Sequence, residues 1–409
     1  MIRTILDIHI LQTVPPSNLN RDDTGTPKSA VYGGVRRARV SSQAWKRATR
    51  TAFSDLLDAS ELGVRTKKVA EVLAERIKAL DPSLSKAAAV ELAAETMRTA
   101  TGSKIEVPKR KAKDSENGES EPAPESAYLM YLSGRQLDAL AALAVEGSKG
   151  GDPKALKEFL KTRENKARAR QFVDSEHSVD IALFGRMVAD STDLNVDAAT
   201  QVAHALSVHA VEAESDYFTA VDDKNTDAEM GAGMIGSVDF NSATLYRYAA
   251  VDVDKLHENL GPALREGEDL PAADPTRRAV AAFLEGFITS LPTGKINTFG
   301  NHTLPAAVIV KLRSRRPISF VGAFEKPVAA GAEGGFLRQS CEQLAKFVPD
   351  LESKYGLGLG GGQSWVLRVG EETQALGVLG TELALPELIT AVADAVAARL
   401  EPKEPEARS

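Results

Sequence analysis

The stretch Gly33–Arg50, GGVRRARVSSQAWKRATR, predicts a short strand followed at once by a helix. Arg36–Val40 has the composition of a strand, and Ser41 or Ser42 can cap a helix that runs to about Ala59. The stretch holds six basic residues and no acidic one, although the 409-residue chain has a formal net charge of -7. It is therefore both a fold element and an unusual concentration of positive charge.

The patterns on either side of this stretch predict an α+β protein. Alternating or continuous apolar runs indicate strands at Ile2–Gln12, Val179–Val188, Val202–Val211, Ala243–Val253, Pro305–Arg313 and Trp365–Val369. Helical patterns lie at Pro275–Ser290, Phe336–Tyr355 and Pro386–Leu400. Without insertions the order is strand, helix, strand, strand, helix, strand. We therefore predict an RRM-like or ferredoxin-like fold interrupted by long insertions.

Two segments are predicted to be insertions into this fold. The first is helical, with helices at Val64–Leu80, Pro82–Ala100, Tyr128–Val145 and Pro153–Phe172. It contains Gly102–Ser126, which is rich in Pro, Glu, Lys and Ser and is predicted to be a disordered loop. The second, Glu212–Ser237, is polar and Gly-rich and is predicted to project as a hairpin or loop. The predicted divisions are 1–59, 60–177 with the loop 102–126, 178–211, 212–238 and 239–409.

Composition excludes several classes of protein. The single Cys341 rules out an internal disulfide and a zinc cluster built on cysteines. The start, MIRTILDIHILQTV, lacks the features of a signal peptide, and no run is long enough to span a bilayer. We therefore expect a cytoplasmic protein without a membrane partner. The net charge argues against indiscriminate coating of nucleic acid, although a local basic groove is compatible with it.

The helix in the opening stretch has two different faces. At 100° per residue, one face carries Gln43, Lys46, Arg47 and Arg50. The nearly opposite face carries Trp45, Ala48, Ala52 and Leu56. Isolated basic runs are usually solvated helix faces. Here the 31 residues Thr24–Ser54 contain no acid, which favours a phosphate-binding surface with Ser42 and Gln43 as neutral donors.

Paired aspartates raise the alternative of a metal-dependent nuclease. Asp22–Asp23 and Asp222–Asp223 could hold magnesium for phosphodiester cleavage. Neighbouring aspartates are also common turn formers, and we favour that interpretation. His204 and His209 lack metal-ligand spacing, and the glycines of Gly356–Gln363 lack the setting of a phosphate-binding loop. We therefore expect no catalytic residue, no metal and no cofactor.

Two apolar features remain open on the residues alone. Tyr217–Phe218 lies in acidic, polar surroundings, where it could fold back locally or project to stack on bases. Met187 lies at the end of the predicted strand Val179–Val188 and could act as a wedge between bases.

Several ordered blocks resemble CasC, the family of backbone subunits of the type I-E CRISPR surveillance complex, Cascade. The strongest block is LNRDDTGTPKSAVYGGVRRARVSSQAWKRATR, Leu19–Arg50. Further blocks follow in the family's order: VDIALFGRM (Val179–Met187), SDYFTAVDD (Ser215–Asp223) and FNSATLYRYA (Phe240–Ala249). The resemblance runs from about Ile2 to Gly335 and continues toward the end of the chain.

The resemblance implies a non-catalytic scaffold. Its expected parts are an RRM-like palm, a helical fingers insertion and a protruding thumb. Several copies would stack on one CRISPR guide RNA as a helical filament, beside other Cascade subunits. The palm would hold the RNA backbone without reading sequence, leaving the bases to pair with target DNA. Related type III backbone subunits cut target RNA from the corresponding loop, so a metal-dependent ribonuclease acting through Asp22 or Asp23 stays the alternative.

The resemblance also implies specific contact residues. Those expected to bind guide RNA are Asn20, Arg21, Lys28, Ser42, Gln43, Lys46, Arg47 and Arg50, with Met187 and Phe218 flanking a kink where a base is displaced. Those expected to contact target DNA, within Lys154–Arg170, are Lys154, Lys157, Lys161, Lys166 and Arg168. The family's Trp-Phe pair in the thumb appears here as Tyr217–Phe218.

Overall fold

The computed structural model describes residues 3–108, 123–188, 192–220, 234–261, 271–357 and 362–401. The chain forms two compact units. The sheet unit comprises Met1–Phe53, Thr200–Asp254 and Arg277–Ser409, and the helical unit comprises Ser54–Ala199 and Lys255–Thr276. Residues 178–199, predicted as part of a division separate from the helical insertion, therefore belong to the helical unit.

The strands, in chain order, are β1 Ile5–Ser17, β2 Ser29–Tyr32, β3 Val35–Val40, β4 Gly63–Thr66, β5 Ile105–Glu106, β6 Glu125–Ser126, β7 Met130–Ser133, β8 Thr200–Val202, β9 Ala205–Ser207, β10 Glu214–Ala220, β11 Met234–Asp252, β12 Ala307–Arg313, β13 Gln363–Arg368 and β14 Thr381–Glu382.

The helices, in the same order, are α1 Ser42–Leu56, α2 Val69–Leu80, α3 Lys86–Thr101, α4 Gly134–Ser148, α5 Pro153–Lys161, α6 Arg163–Asp174, α7 Val179–Phe184, α8 Val253–Leu260, α9 Asp274–Thr289, α10 Ile296–Phe299, α11 Leu337–Lys354 and α12 Leu385–Leu400. Among the described residues, no helix is both long and apolar enough to cross a bilayer.

A mixed sheet forms the centre of the sheet unit. Its strands lie in the order β14-β13-β12-β1-β11-β9-β3-β2, with β8 and β10 also paired to β11. The four strands β12-β1-β11-β9 are antiparallel throughout. Every residue of Ile5–Leu11 in β1 is at most 2% exposed. The strand is therefore buried on both of its faces, and not only at alternate residues.

Each face of the central strands packs on its own layer. On one face, Tyr246 and Tyr248 of β11 join a core with Phe320, Phe324 and Leu344. On the other, the guanidinium of Arg247 lies 3.7 Å from the Trp45 ring centroid and 4.7 Å from that of Phe287. Burial lowers the pKa of Arg247 to about 9. Helices α1 and α9 therefore pack on the face of β11 opposite the two tyrosines.

The helical unit packs α2 to α6 around a core of its own. Leu73, Leu92, Leu140 and Leu156 are among its fully buried residues. Capping side chains set several helix boundaries: Ser85 accepts a hydrogen bond from the Ala88 amide, and Ser133 and Gln136 form a capping box.

The strand predicted at Val179–Val188 is wrong. Its first six residues form α7, and the helix ends where Gly185 adopts φ 78° and donates its amide to the Ile181 carbonyl at 2.8 Å. A Cβ at Gly185 would lie 2.6 Å from the Val196 carbonyl oxygen, so the turn requires glycine. A short buried apolar run is compatible with either a strand or a helix, and here a glycine stop and tertiary contacts favour the helix.

Other boundaries also differ from the sequence prediction. The helix predicted at Pro153–Phe172 is two helices, because Thr162 is extended, with φ -62° and ψ 142°, and its side chain caps α6. Each end of the predicted loop Gly102–Ser126 is ordered, since β5 pairs with β6. Residues 109–122 of that loop lie outside the described residues.

Candidate nucleic-acid interface

The loop between β1 and β2 is built around a hydrogen-bonded turn. Asp22 Oδ1 accepts hydrogen bonds from the Thr24 amide, the Thr24 hydroxyl and the Thr26 amide, at 2.7–3.1 Å. The Thr24 hydroxyl is the main cause of the lowered pKa of Asp22, which is itself exposed. This aspartate is therefore engaged as a turn former. Asp23 is exposed, and Asp222–Asp223 lies outside the described residues.

Asn20 joins this loop to the start of α1. Its Oδ1 accepts a hydrogen bond from the Ser41 amide at 2.9 Å, and its carbonyl accepts one from the Lys28 amide at 2.9 Å. The Arg39 amide in turn donates to the Lys28 carbonyl at 2.9 Å. These hydrogen bonds place Asn20 and Lys28 beside the end of β3 and the first turn of α1.

A small, open depression lies at this junction. Asn20, Lys28, Arg39 and Asn241 contribute its polar lining. The Nε of Arg39 is buried and has no hydrogen-bond partner among the described residues. An unpaired guanidinium donor beside a lysine and two amides suits an anionic oxygen ligand.

The three arginines of β3 lie in different surroundings. Arg37 is buried and donates to the carbonyls of Tyr32, Ser207, Phe324 and Glu325, so it holds the sheet unit together. Arg36 is exposed, opposite Val31 in the β2–β3 pair. Arg39 alone lines the depression. Arg39 is not among the contact residues predicted from the sequence. The feature that could have indicated it is the spacing of the arginines in Arg36–Val40.

The buried stripe of helix α1 is rotated from the predicted one. The buried residues are Trp45, Thr49 and Phe53, whereas Ala48, Ala52 and Leu56 are only partly buried. Thr49 is tolerated inside because its hydroxyl donates to the Trp45 carbonyl at 3.0 Å. Close approach of α9 at Gly286, where a Cβ would lie 3.3 Å from Phe53 and 3.4 Å from Thr49, explains why this stripe is the one that packs.

The basic residues of α1 differ in exposure. Gln43 and Arg47 are exposed, while Lys46 and Arg50 are half-buried and each takes part in a further interaction. Burial lowers the pKa of Lys46. Ser42 lies at the first turn, where its amide donates to His204 Nδ1 at 3.1 Å. Arg47 and Gln43 are therefore the side chains of this face that lie most open to a ligand.

The predicted projecting hairpin is present in its described part. β10 pairs with the first part of β11, and residues 221–233 lie outside the described residues. Tyr217 is 64% exposed and Phe218 39%. The Phe218 ring lies over its cross-strand partner Gly236, where a Cβ would be 2.5 Å from the ring. Asp239 accepts hydrogen bonds from Ser215 and from Thr26, which connects the hairpin base to the loop after β1.

In the helical unit, the exposed Met187 follows the buried Arg186. Arg186 is buried and donates to the carbonyls of Leu194, Val173 and Tyr131. Met187 is 83% exposed. Such exposure is unusual for a large apolar side chain, and it suits a residue that contacts a ligand or partner.

The five predicted DNA-contacting residues lie on α5 and α6 of the helical unit. On α5, Lys154, Lys157 and Lys161 are exposed, whereas Leu156 and Leu160 are buried. Lys161 forms an ion pair with Glu158, and Arg168 forms one with Glu146. The exposed Lys166 lies on α6. Lys154, Lys157 and Lys166 have no ion pair within the described residues.

The model of one protein family matches residues 6–391, under the description CT1975-like protein. The chain belongs to the CT1975-like protein family. Two solved structures contain chains similar to this family member over nearly its whole length. One, titled "CRISPR RNA-guided surveillance complex, pre-nicking", is 33% identical with a TM-score of 0.77, covering 96% of this chain and 100% of that chain. The other, titled "CRISPR RNA-guided surveillance complex", is 30% identical with a TM-score of 0.68, covering 96% and 99%.

No match was found among curated proteins. The two structural matches confirm the sequence resemblance at the level of chains found in CRISPR surveillance complexes. The specific contact residues stay predictions.

Proposed function

We propose that this protein is the CasC-type backbone subunit of a type I-E CRISPR surveillance complex. In this role several copies bind one guide RNA through its backbone, without reading sequence, and leave its bases free to pair with target DNA. The single observation that carries the proposal is the similarity, over 96% of the chain, to chains of two surveillance complexes.

The order of elements in the sheet unit supports an RRM-like palm. Strand β1, helix α1, strands β9 and β11, helix α9 and strand β12 follow one another as β-α-β-β-α-β, and the strands lie in the order β12-β1-β11-β9. In a split βαβ unit a third strand lies between the first two, as β11 does between β1 and β9. We assign the sheet unit as the palm, the helical unit as the fingers and the β10–β11 hairpin as the thumb.

Charge distribution supports the backbone of RNA as the ligand. The cations Lys28, Arg39, Lys46, Arg47 and Arg50 all lie within the acid-free stretch Thr24–Ser54 of a chain whose net charge is -7. The acidic remainder repels RNA elsewhere on the surface. Phosphate contacts position a nucleic acid without selecting its sequence, which is what a backbone subunit requires.

We further propose that the protein is not an enzyme. Asp22, one of the two aspartates in the alternative ribonuclease hypothesis, already accepts three hydrogen bonds within its own turn. Incubating the assembled complex with complementary RNA and magnesium tests this directly. No cleavage is expected from the native protein. Specific cleavage that is lost in Asp23→Ala would establish the ribonuclease instead.

The RNA-binding role is tested by salt dependence and sequence independence. The native chain should bind two unstructured RNAs of equal length and different sequence with equal affinity. Affinity should fall with salt at a slope of about -0.7 per phosphate neutralised. Affinity that depends on sequence, or that does not change with salt, would contradict the proposal.

A further inference from the structure

We infer that the loop Thr293–Thr303, TGKINTFGNHT, is a second phosphate-binding element of the sheet unit, with Lys295 as its cation. The inference rests on the proposed RNA-binding function and extends its surface to a segment distant in sequence. The first observation is compositional. The 39 residues Gly286–Phe324 contain no acid, which makes them a second acid-free stretch beside Thr24–Ser54.

The loop lies against the segment that leads into the first phosphate-binding element, Asn20–Arg50. A Cβ on Gly294 would be 2.4 Å from the Asn18 carbonyl oxygen and 2.3 Å from that of Leu19, so the two backbones touch there. Phe299 packs on Phe240 at the hairpin base, with ring centroids 5.7 Å apart. The loop is therefore in contact with the segment that leads directly to Asn20.

Hydrogen bonds fix the far end of the loop to the central strand. Gln12 of β1 donates from its Nε2 to the carbonyl of Thr303 at 2.8 Å. The Gln12 Oε1 accepts a hydrogen bond from Arg247 at 2.7 Å. The loop is thereby held on the rigid central strands, as a site for a ligand needs to be.

The loop retains two features that cost stability. Lys295 is a non-glycine residue with φ 52°, a strained conformation that is concentrated at functional sites. Asn301 is 1% exposed, and neither its Nδ2 nor its Oδ1 has a hydrogen-bond partner among the residues that the structure describes. Buried polar atoms without partners are costly and need an explanation.

Buried polar atoms without partners are concentrated around the loop Thr293–Thr303 and the first phosphate-binding element. Of nine buried unpartnered side-chain atoms on the described residues, five belong to Asn18, Arg39, Ser290 and Asn301. A loop that only joins α9 to β12 would not require a strained backbone or buried polar atoms without partners. Three of the five can donate to an anionic ligand, namely Arg39 Nε, the Ser290 hydroxyl and Asn301 Nδ2, and the other two are amide oxygens that accept. RNA offers both kinds of partner, since its phosphates accept hydrogen bonds and its ribose hydroxyls also donate them.

The exposed side chains of the loop suit phosphate and ribose oxygens. Thr293, Asn297, Thr298 and His302 are exposed and can donate hydrogen bonds, and Lys295 is half-buried beside them. No ion pair of Lys295 occurs within the described residues. Its ammonium group is thus available to a phosphate.

The test uses the full-length protein with an unstructured single-stranded RNA as probe. Lys295→Gln removes the charge, Lys354→Gln makes the same change at an exposed lysine on α11, and Arg47→Gln removes a cation of the first element. We expect Lys295→Gln to weaken binding about fivefold near 0.1 M salt and to make the salt slope shallower by about 0.7. Lys354→Gln should change neither quantity, and melting temperatures should show that all three variants fold.

The outcomes separate this inference from the proposed function. A normal affinity and slope in Lys295→Gln, with a weakened Arg47→Gln, would overturn the second element alone. Normal binding in both variants would overturn the RNA-binding surface as a whole. Lysine acetylation of the native chain gives an independent readout: RNA should protect Lys295 and leave Lys354 reactive, and equal reactivity of Lys295 with and without RNA would count against the inference.

Discussion

Removal of the Arg47 side chain tests whether the exposed face of α1 holds phosphate. Arg47 is exposed, whereas the stripe that anchors the helix is Trp45, Thr49 and Phe53. Alanine has a higher helix propensity than arginine, and surface substitutions usually change stability by less than about 0.5 kcal/mol. Arg47→Ala should therefore fold normally, and its effect should be confined to the ligand.

The expected loss follows from the counterions that a phosphate contact releases. One contact contributes a slope of about -0.7 in the logarithm of affinity against the logarithm of salt for a single strand. At 0.1 M salt, Arg47→Ala should bind RNA about fivefold more weakly, or by about 1 kcal/mol, with the difference vanishing toward 1 M. The loss should be the same for RNAs of different sequence, because a phosphate contact carries no base information.

Fluorescence anisotropy with a labelled RNA at several salt concentrations measures this. Arg338→Ala is the matched control, since it removes an exposed arginine from α11 of the same unit. An unchanged affinity in Arg47→Ala would refute the role of this face. A loss that is equal at all salt concentrations would also refute it, because the loss would then not come from a charge contact.

Four further predictions concern other parts of the molecule. Phe218→Ala should weaken RNA binding by about 1–3 kcal/mol without changing the salt slope, because stacking releases no counterions; an altered slope would argue against stacking. Replacing Lys154, Lys157 and Lys166 together by alanine should weaken binding of the guide-loaded complex to target DNA and leave guide RNA affinity unchanged, as measured by gel shift. Arg186→Met should destabilise the helical unit by about 1–3 kcal/mol, seen as a lower denaturation midpoint, because the carbonyls of Leu194, Val173 and Tyr131 each lose a hydrogen bond from the buried guanidinium. Burial and the nearby Arg186 lower the pKa of His177 to about 4, so stability should fall as pH drops from about 6.5 toward 4, and His177→Gln should make the melting temperature less dependent on pH in that range.

The fold was predictable from sequence where one local signal decided each element. The stop at the end of α3 follows from Gly102 with φ 71°, and the helix after Ser41 follows from its capping position. The run at Val179 could not be assigned from its pattern, because all of Val179–Leu183 is buried and gives no periodicity. The break at Thr162 could not be predicted because Thr is compatible with a helix interior, and here its hydroxyl accepts a capping hydrogen bond from the Asn165 amide.

The candidate site was predictable where charge and helical spacing coincide, as on α1. It was not predictable where burial decides a residue's role. Arg37 and Arg39 are two residues apart on one strand, yet the first donates to four carbonyls inside the sheet unit and the second lines the depression. The contact between the loop at Gly294 and the segment at Asn18 joins positions about 275 residues apart in the chain, which no local pattern reports.

The most direct test of the proposed backbone role is to count the copies of the chain bound to RNAs of increasing length. Native mass spectrometry of the full-length protein, mixed with two RNA series of equal lengths and unrelated sequences, gives this number. We predict that the number of copies rises stepwise with RNA length and is the same in both series. A single bound copy at every length, or a number that follows sequence rather than length, would contradict a backbone subunit.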